Sequence, residues 1–343
     1  MIRGSNGSTG TGTGSKGVDL ERRDALLDPA GQRLTVYPIE HADIWRAYKT
    51  QLASFWTAEE VDFSKDREQW TGKLTADERN FVKNVLAFFA ASDSVVSLNL
   101  MQNFCKEVTA IEAQIAYTYQ AMMENVHAEV YSIMIDTYIQ DPAEKTQMFE
   151  QLAGVRSVQM KVKWAADWAA SDAPFGQRLV AFAIVEGLFF SGAFCAIYWI
   201  KQRGLLPGLT KSNEFIARDE GQHTDFACLL YGKLTSKVSP AVVRAMFVDA
   251  IAVEKEFILE SIPCKMVGMN SDLMSQYIEH VADGILAKLG CPKLFGSANP
   301  FPFMELIGME GRSNFFEERV SLYQRADVLN VDAAHAAFYS DDF

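Results

Sequence analysis

The run LVAFAIVEGLFFSGAFCAIYWI, residues 179–200, decides how the chain is read. Its 22 residues carry one charge, Glu186. That length is enough to span a bilayer. A lone carboxylate at the middle is costly in lipid, and equally costly in a dry protein core, unless something pairs with it. The fold therefore turns on what Glu186 binds.

The sequence on either side reads as helix after helix. Pro174 and Gly176 break the chain before the run, and Gly204, Pro207 and Gly208 end it. Ser212 is the expected cap of the next helix, NEFIARDEGQHTDFACLLYGKL. Pro240 opens a helix to about Ser261, and Asp272 to Leu289 supplies another. Toward the N-terminus, Pro38 suits the start of a short helix near Ala42–Phe55. Thr57 with Glu60, and Thr75 with Glu78, are capping boxes. The second opens a long helix, ADERNFVKNVLAFFAASDSVVSLNLMQNF. Val108 to Tyr138 is a further long run free of Pro and Gly. Asp141-Pro142 starts a helix through about Ala153, and another covers roughly Val155–Ser171. The apolar period is near 3.6 throughout and no hairpin signal occurs, so the chain is expected to be all-α.

The net charge of −12 argues against nucleic acid or an anionic membrane as partner. The five cysteines are scattered, with no CxxC pair and no secretory signal pattern, which fits a reducing, cytoplasmic setting. Residues 1–17 are rich in Gly, Ser and Thr and are expected to be disordered. The tail beyond Arg325 is acidic but carries Phe338, Tyr339 and Phe343, which suit a docking peptide that orders on a partner.

The chemistry lies with the histidines. Two of the five sit in the same pattern, Glu124-Asn-Val-His127 and Glu220-Gly-Gln-His223. On a helix, residues three apart differ by about 60° in angle and about 4.5 Å in rise. A carboxylate and an imidazole at that spacing reach the same small ion. One such pair is weak evidence; two on separate helices, with Glu186 alone in a third, match the di-metal carboxylate four-helix bundle. Oxygen-dominated ligation with one imidazole per ion suits iron or manganese rather than structural zinc. The carboxylate of the fourth helix is left open by spacing: Glu59, Glu60, Asp62, Glu78 and Asp93 all qualify. Tyr131 lies four residues beyond His127 and seven beyond Glu124, on the same face. Phe190, Phe194 and Ile216 share faces with the ligands, and a redox-active tyrosine would need such a dry sheath.

The segments YPIEHADIW, SFWTAEEVDFSKD, MENVHAEVYSIMIDTYI, RDEGQHTDFACLL and NPFPFMELIGMEGRSNFFEERV, with the 179–200 run and the acidic tail ending in Phe, resemble those of the small, radical-generating subunit of class I ribonucleotide reductase, eukaryotic-type branch. The resemblance runs from about Tyr37 to Phe343. It implies a ferritin-like helical bundle over residues 31–322, a disordered or extended segment 1–30, and a flexible tail 323–343 docking on the large catalytic subunit. It implies an oxo-bridged di-iron centre, manganese being an alternative, that activates O2 and leaves a radical on Tyr131. The implied ligands are Asp62, Glu124 and His127 for one ion and Glu186, Glu220 and His223 for the other, with Glu124 or Glu186 bridging or shifting. Trp45, Asp219 and Tyr323 are the implied radical-transfer path, and a homodimer is implied. The competing expectation is a stand-alone di-iron oxidase or ferroxidase, which would have no use for Tyr131, Trp45, Asp219 and a docking tail together.

Overall fold

The computed structural model describes residues 24–261 and 270–304. The segment 1–17, Tyr323 and the acidic tail lie outside the described residues, as does the boundary at 322. Eleven helices of eight residues or more occur among the described residues: α1 (Ala42–Ala53), α2 (Ser64–Gly72), α3 (Ala76–Asn99), α4 (Ile111–Tyr138), α5 (Pro142–Gly154), α6 (Arg156–Ala169), α7 (Phe175–Ile184), α8 (Ser191–Gln202), α9 (Pro207–Lys233), α10 (Pro240–Ser261) and α11 (Ser271–Lys288). No strand is present among them.

Local chemistry explains several of the boundaries. Thr75 Oγ1 accepts the Glu78 N–H at 3.2 Å and Glu78 returns a carboxylate oxygen to the Thr75 N–H at 2.8 Å, which starts α3 as the capping box requires. Pro142 and Pro240 stand first in α5 and α10, where a missing N–H costs nothing. Ser212 is not a cap. It lies buried inside α9, whose first residue is Pro207, and its hydroxyl donates to Leu209 O. The expected start was late because Pro207 and Gly208 read as breakers; here Leu206 turns through φ 50° and Pro207 then begins the helix.

The 179–200 run is buried rather than membrane-facing: within the helical stretch Phe175–Gln202, 94% of its most apolar window is inside the protein. The run is not one α-helix. A π-helical turn, Val185–Phe189, joins α7 to α8 and carries Glu186. Such single turns insert one extra residue into a helix and concentrate at functional sites.

Four units form the centre: α3, α4, the α7–π–α8 unit and α9. Helix α3 runs along α4, and α9 packs on α7, on the π turn and on α8. Helices α6 and α10 cover the outer side of α3 and α7, and α11 closes over the π turn.

The entry of α9 into this centre is fixed by Asp66 of α2. This buried carboxylate accepts the N–H groups of Gly208 and Leu209, both at 2.8 Å, and the Tyr138 hydroxyl at 2.7 Å. It thus binds the positive end of α9 and ties it to the end of α4. Gly208 is required there, since a Cβ would meet Phe63 at 2.5 Å and Asp62 O at 2.9 Å. Replacing Asp66 by Ala is expected to cost about 2–3 kcal/mol, by leaving two helix N–H groups and a phenol without their acceptor. Urea unfolding of the metal-free chain measures it; a loss under about 0.5 kcal/mol, the usual surface level, would contradict the assignment.

Candidate metal centre

Each ligand-bearing element turns one or two polar side chains inward. Helix α4 presents Glu124 and His127 three residues apart, α9 presents Glu220 and His223 at the same spacing, the π turn presents Glu186, and α3 presents Asp93. All six are buried. Two groups of side chains have ligand atoms within 4.8 Å of one another: Asp93, Glu124, His127 and Glu220, and Glu124, Glu186, Glu220 and His223. Glu124 and Glu220 are common to both, whereas Glu186, an expected bridging candidate, belongs to one. His127 Nδ1 stands 3.3 Å from Glu124 Oε2 and 3.2 Å from Glu220 Oε1. His223 Nδ1 stands 3.0 Å from Glu124 Oε1, 3.1 Å from Glu220 Oε2 and 3.6 Å from Glu186 Oε2.

The electrostatics are those of carboxylates forced together. Burial, then the charges of Glu124 and Glu220, push the Asp93 carboxyl well above its ordinary range. Burial, then Glu220, raise Glu186 likewise. Glu220 is held low despite its burial, through hydrogen bonds with Glu186, His127 and His223. Among the described residues, no hydrogen-bond donor serves either oxygen of Asp93 or of Glu186. Buried carboxylate oxygens without donors are expensive, and this donor set fits two hard divalent ions.

Behind His127 stands a second set of contacts. Its Nε2 faces Asp219 Oδ2 at 3.2 Å, and the same oxygen accepts the Trp56 indole N–H at 2.7 Å. The Trp56 ring stacks on His127 with centroids 6.0 Å apart. Asp219 is buried, which alone would raise it, but Arg218, His127 and Trp56 hold it below its usual value. Tyr131 is buried beside the cluster. Its hydroxyl has no hydrogen-bond partner among the described residues, and burial, then the Asp93 charge, drive its pKa well above that of an ordinary phenol. Phe89 covers the Tyr131 ring at 5.1 Å and lies 5.6 Å from Phe190 and 5.3 Å from Phe194; Ile216 is buried as well.

Two expected residues are not in the site. Asp62 is exposed; its carboxylate accepts the Ser64 N–H at 2.8 Å and helps turn the chain into α2. The fourth-helix carboxylate in the cluster is Asp93. Trp45 packs on Tyr48 at 5.0 Å and Tyr37 at 6.4 Å, under Lys49, whereas the tryptophan on Asp219 is Trp56. Asp93 carried a signal in the sequence: it is the sole formal charge between Lys83 and Lys106, just as Glu186 is between Arg178 and Lys201. Phe89, one turn before it, follows from the same helix face. Trp56 had no comparable signal, because its partner is 163 residues away.

These features define a class: an all-α bundle of ferritin-like type with a buried, paired carboxylate–histidine centre. The profile of the family "Ribonucleotide reductase, small chain" matches residues 33–300, and the chain belongs to that family. It is 49% identical over 330 residues to the ribonucleoside-diphosphate reductase small chain of Nicotiana tabacum, covering 95% of this chain and 100% of the relative. It is 47% identical over 329 residues to small chain 1 of Saccharomyces cerevisiae, covering 95% and 82%. Among solved structures, the ribonucleotide reductase Rnr4 homodimer of Saccharomyces cerevisiae superposes with a TM-score of 0.79 at 37% identity, covering 90% of this chain and 96% of that one. The chain is thus an oxidoreductase subunit of the di-metal carboxylate type, the radical-generating partner of a large reductase subunit. The expectation of a stand-alone oxidase gives way to this family.

Asp93→Asn is expected to lose uptake of one of two Fe(II) ions per chain, while the melting temperature of the metal-free protein holds or rises, because a carboxylate without donors is relieved. Asp62→Asn should keep both ions. Metal analysis and calorimetry decide, and full uptake by the Asp93 variant would contradict the geometry.

Proposed function

We propose that Asp93, Glu124 and His127 hold one iron ion and Glu186, Glu220 and His223 the second, with Glu124 and Glu220 reaching both. The observation that carries this reading is the pair of overlapping, fully buried ligand groups. When bound, the two ions supply with O2 the one-electron oxidising power that no side chain here possesses. Manganese suits the same donors.

The chain's own residues do the rest. Asp219 accepts the hydrogen bond of the His127 Nε2–H and so points Nδ1 at the carboxylates. Tyr131, whose hydroxyl is buried beside the carboxylate set, would give one electron to the loaded centre and its phenol proton to a base at that centre. Phe89, Phe190, Phe194 and Ile216 exclude water from the resulting tyrosyl radical. Trp56, through Asp219 and His127, is the internal end of the path by which the oxidising equivalent leaves. Trp45 has no part in that path. Tyr323 and the acidic tail would complete it on the large subunit, which carries out reduction of ribonucleotides to deoxyribonucleotides. The working unit is a homodimer in the cytoplasm.

Adding Fe(II) and O2 to the metal-free protein should give a tyrosyl EPR signal that is absent in Tyr131→Phe. A chain ending before Tyr323 should show the same signal yet support no ribonucleotide reduction with the large subunit. Iron oxidation with no protein radical, or full activity of the truncated chain, would refute the corresponding part.

A further inference from the structure

Lys161 of α6 is fully buried, and so is Glu254 of α10. The Lys161 ammonium lies 2.7 Å from Glu254 Oε2, between the rings of Phe88 and Phe257, at 3.8 and 3.9 Å from their centroids. Burial draws the ammonium down to about 8, Glu254 offsetting part of the cost. An isolated ion pair of this kind adds little to stability compared with two apolar side chains of the same size. Its presence therefore needs another reason.

The third contact of Lys161 supplies one. Its Nζ donates to Phe189 O at 2.5 Å, and Phe189 is the last residue of the π turn that carries Glu186. The neighbouring carbonyl, Leu188 O, accepts the Ser191 hydroxyl at 2.6 Å. A π turn changes the register of main-chain bonding, and the carbonyls at its end need partners from outside the regular ladder. Two glycines let the turn be gripped from both sides. A Cβ on Gly187 would meet Ile285 of α11 at 2.7 Å and Thr224 of α9 at 2.9 Å. A Cβ on Gly192 would meet Ile258 at 2.5 Å and Glu254 Oε1 at 2.8 Å. Thr224 in turn bonds Glu220 O.

We propose that Lys161 is a positioning residue for the metal centre: its ammonium, whose charge Glu254 balances, fixes the end of the π turn through Phe189 O and so sets where Glu186 presents its carboxylate. The inference rests on the two-ion reading of the centre. Lys161 touches neither ion nor substrate; it acts through the main chain of the turn.

The test is Mn(II) binding to the metal-free chain, followed by the EPR signal of free Mn(II), with folding checked by circular dichroism and thermal melting. In K161M/E254Q both buried charges are gone, and the fold should persist with a melting temperature near that of wild type. One of the two ions should then bind about 10- to 100-fold more weakly, the usual effect of losing an outer partner of a ligand. E254Q alone, which leaves Lys161 on Phe189 O, should keep both ions near wild-type affinity. The positioning role is overturned if the folded double variant binds both ions like wild type, if both ions weaken equally, or if E254Q alone weakens binding as much as the double variant. Uptake of no ion by the wild-type chain would overturn the two-ion centre and this inference with it.

Discussion

Four carboxylates, from Asp93, Glu124, Glu186 and Glu220, are held in the middle of an apolar bundle. Two unit charges 4.8 Å apart repel by about 3–4 kcal/mol at an effective dielectric constant of about 20. Several such pairs amount to a large share of the stability of a whole domain. Burial first, and this repulsion second, raise the pKa values of Asp93 and Glu186, so that protons there relieve part of it. Two divalent ions would cancel it fully, four negative charges against four positive. The ligand set is intelligible as a metal site and unintelligible as packing.

That constraint reaches outward into the fold. The long helices α4 and α9 each bring in a pair of ligands at three-residue spacing, because side chains at that spacing share a face, and α3 adds Asp93. The third helical unit must interrupt its register at Val185–Phe189 to deliver Glu186, and the surroundings accommodate the interruption with Gly187, Gly192, Ser191 and Lys161. Asp66 fixes the entry of α9. Asp219 fixes His127 and engages Trp56 with the same oxygen. His127 and the Trp56 indole thus share one carboxylate.

Much of this was legible along the chain, and the reasons are physical. Helix type and extent follow from apolar period and caps, which are local: Thr75 and Glu78, Pro142 and Pro240 mark boundaries where the structure has them. Both Glu-x-x-His pairs are legible because their geometry lies within one helical turn. Asp93 was legible by the argument that singled out Glu186, a lone charge in an apolar run, yet the resemblance pointed to Asp62 in a more recognisable segment. Trp56 was not legible, since its role is conferred by Asp219, far along the chain. The π turn was not legible either. Its sequence is that of an ordinary buried helix.

The most direct test of the two-ion centre is anomalous X-ray diffraction from crystals loaded anaerobically with Fe(II), measured on both sides of the iron absorption edge. The account predicts two anomalous peaks inside the bundle, one among Asp93, Glu124 and His127 and one among Glu186, Glu220 and His223. A bundle with no anomalous peak at these side chains, or a peak at Asp62 in place of Asp93, would contradict it.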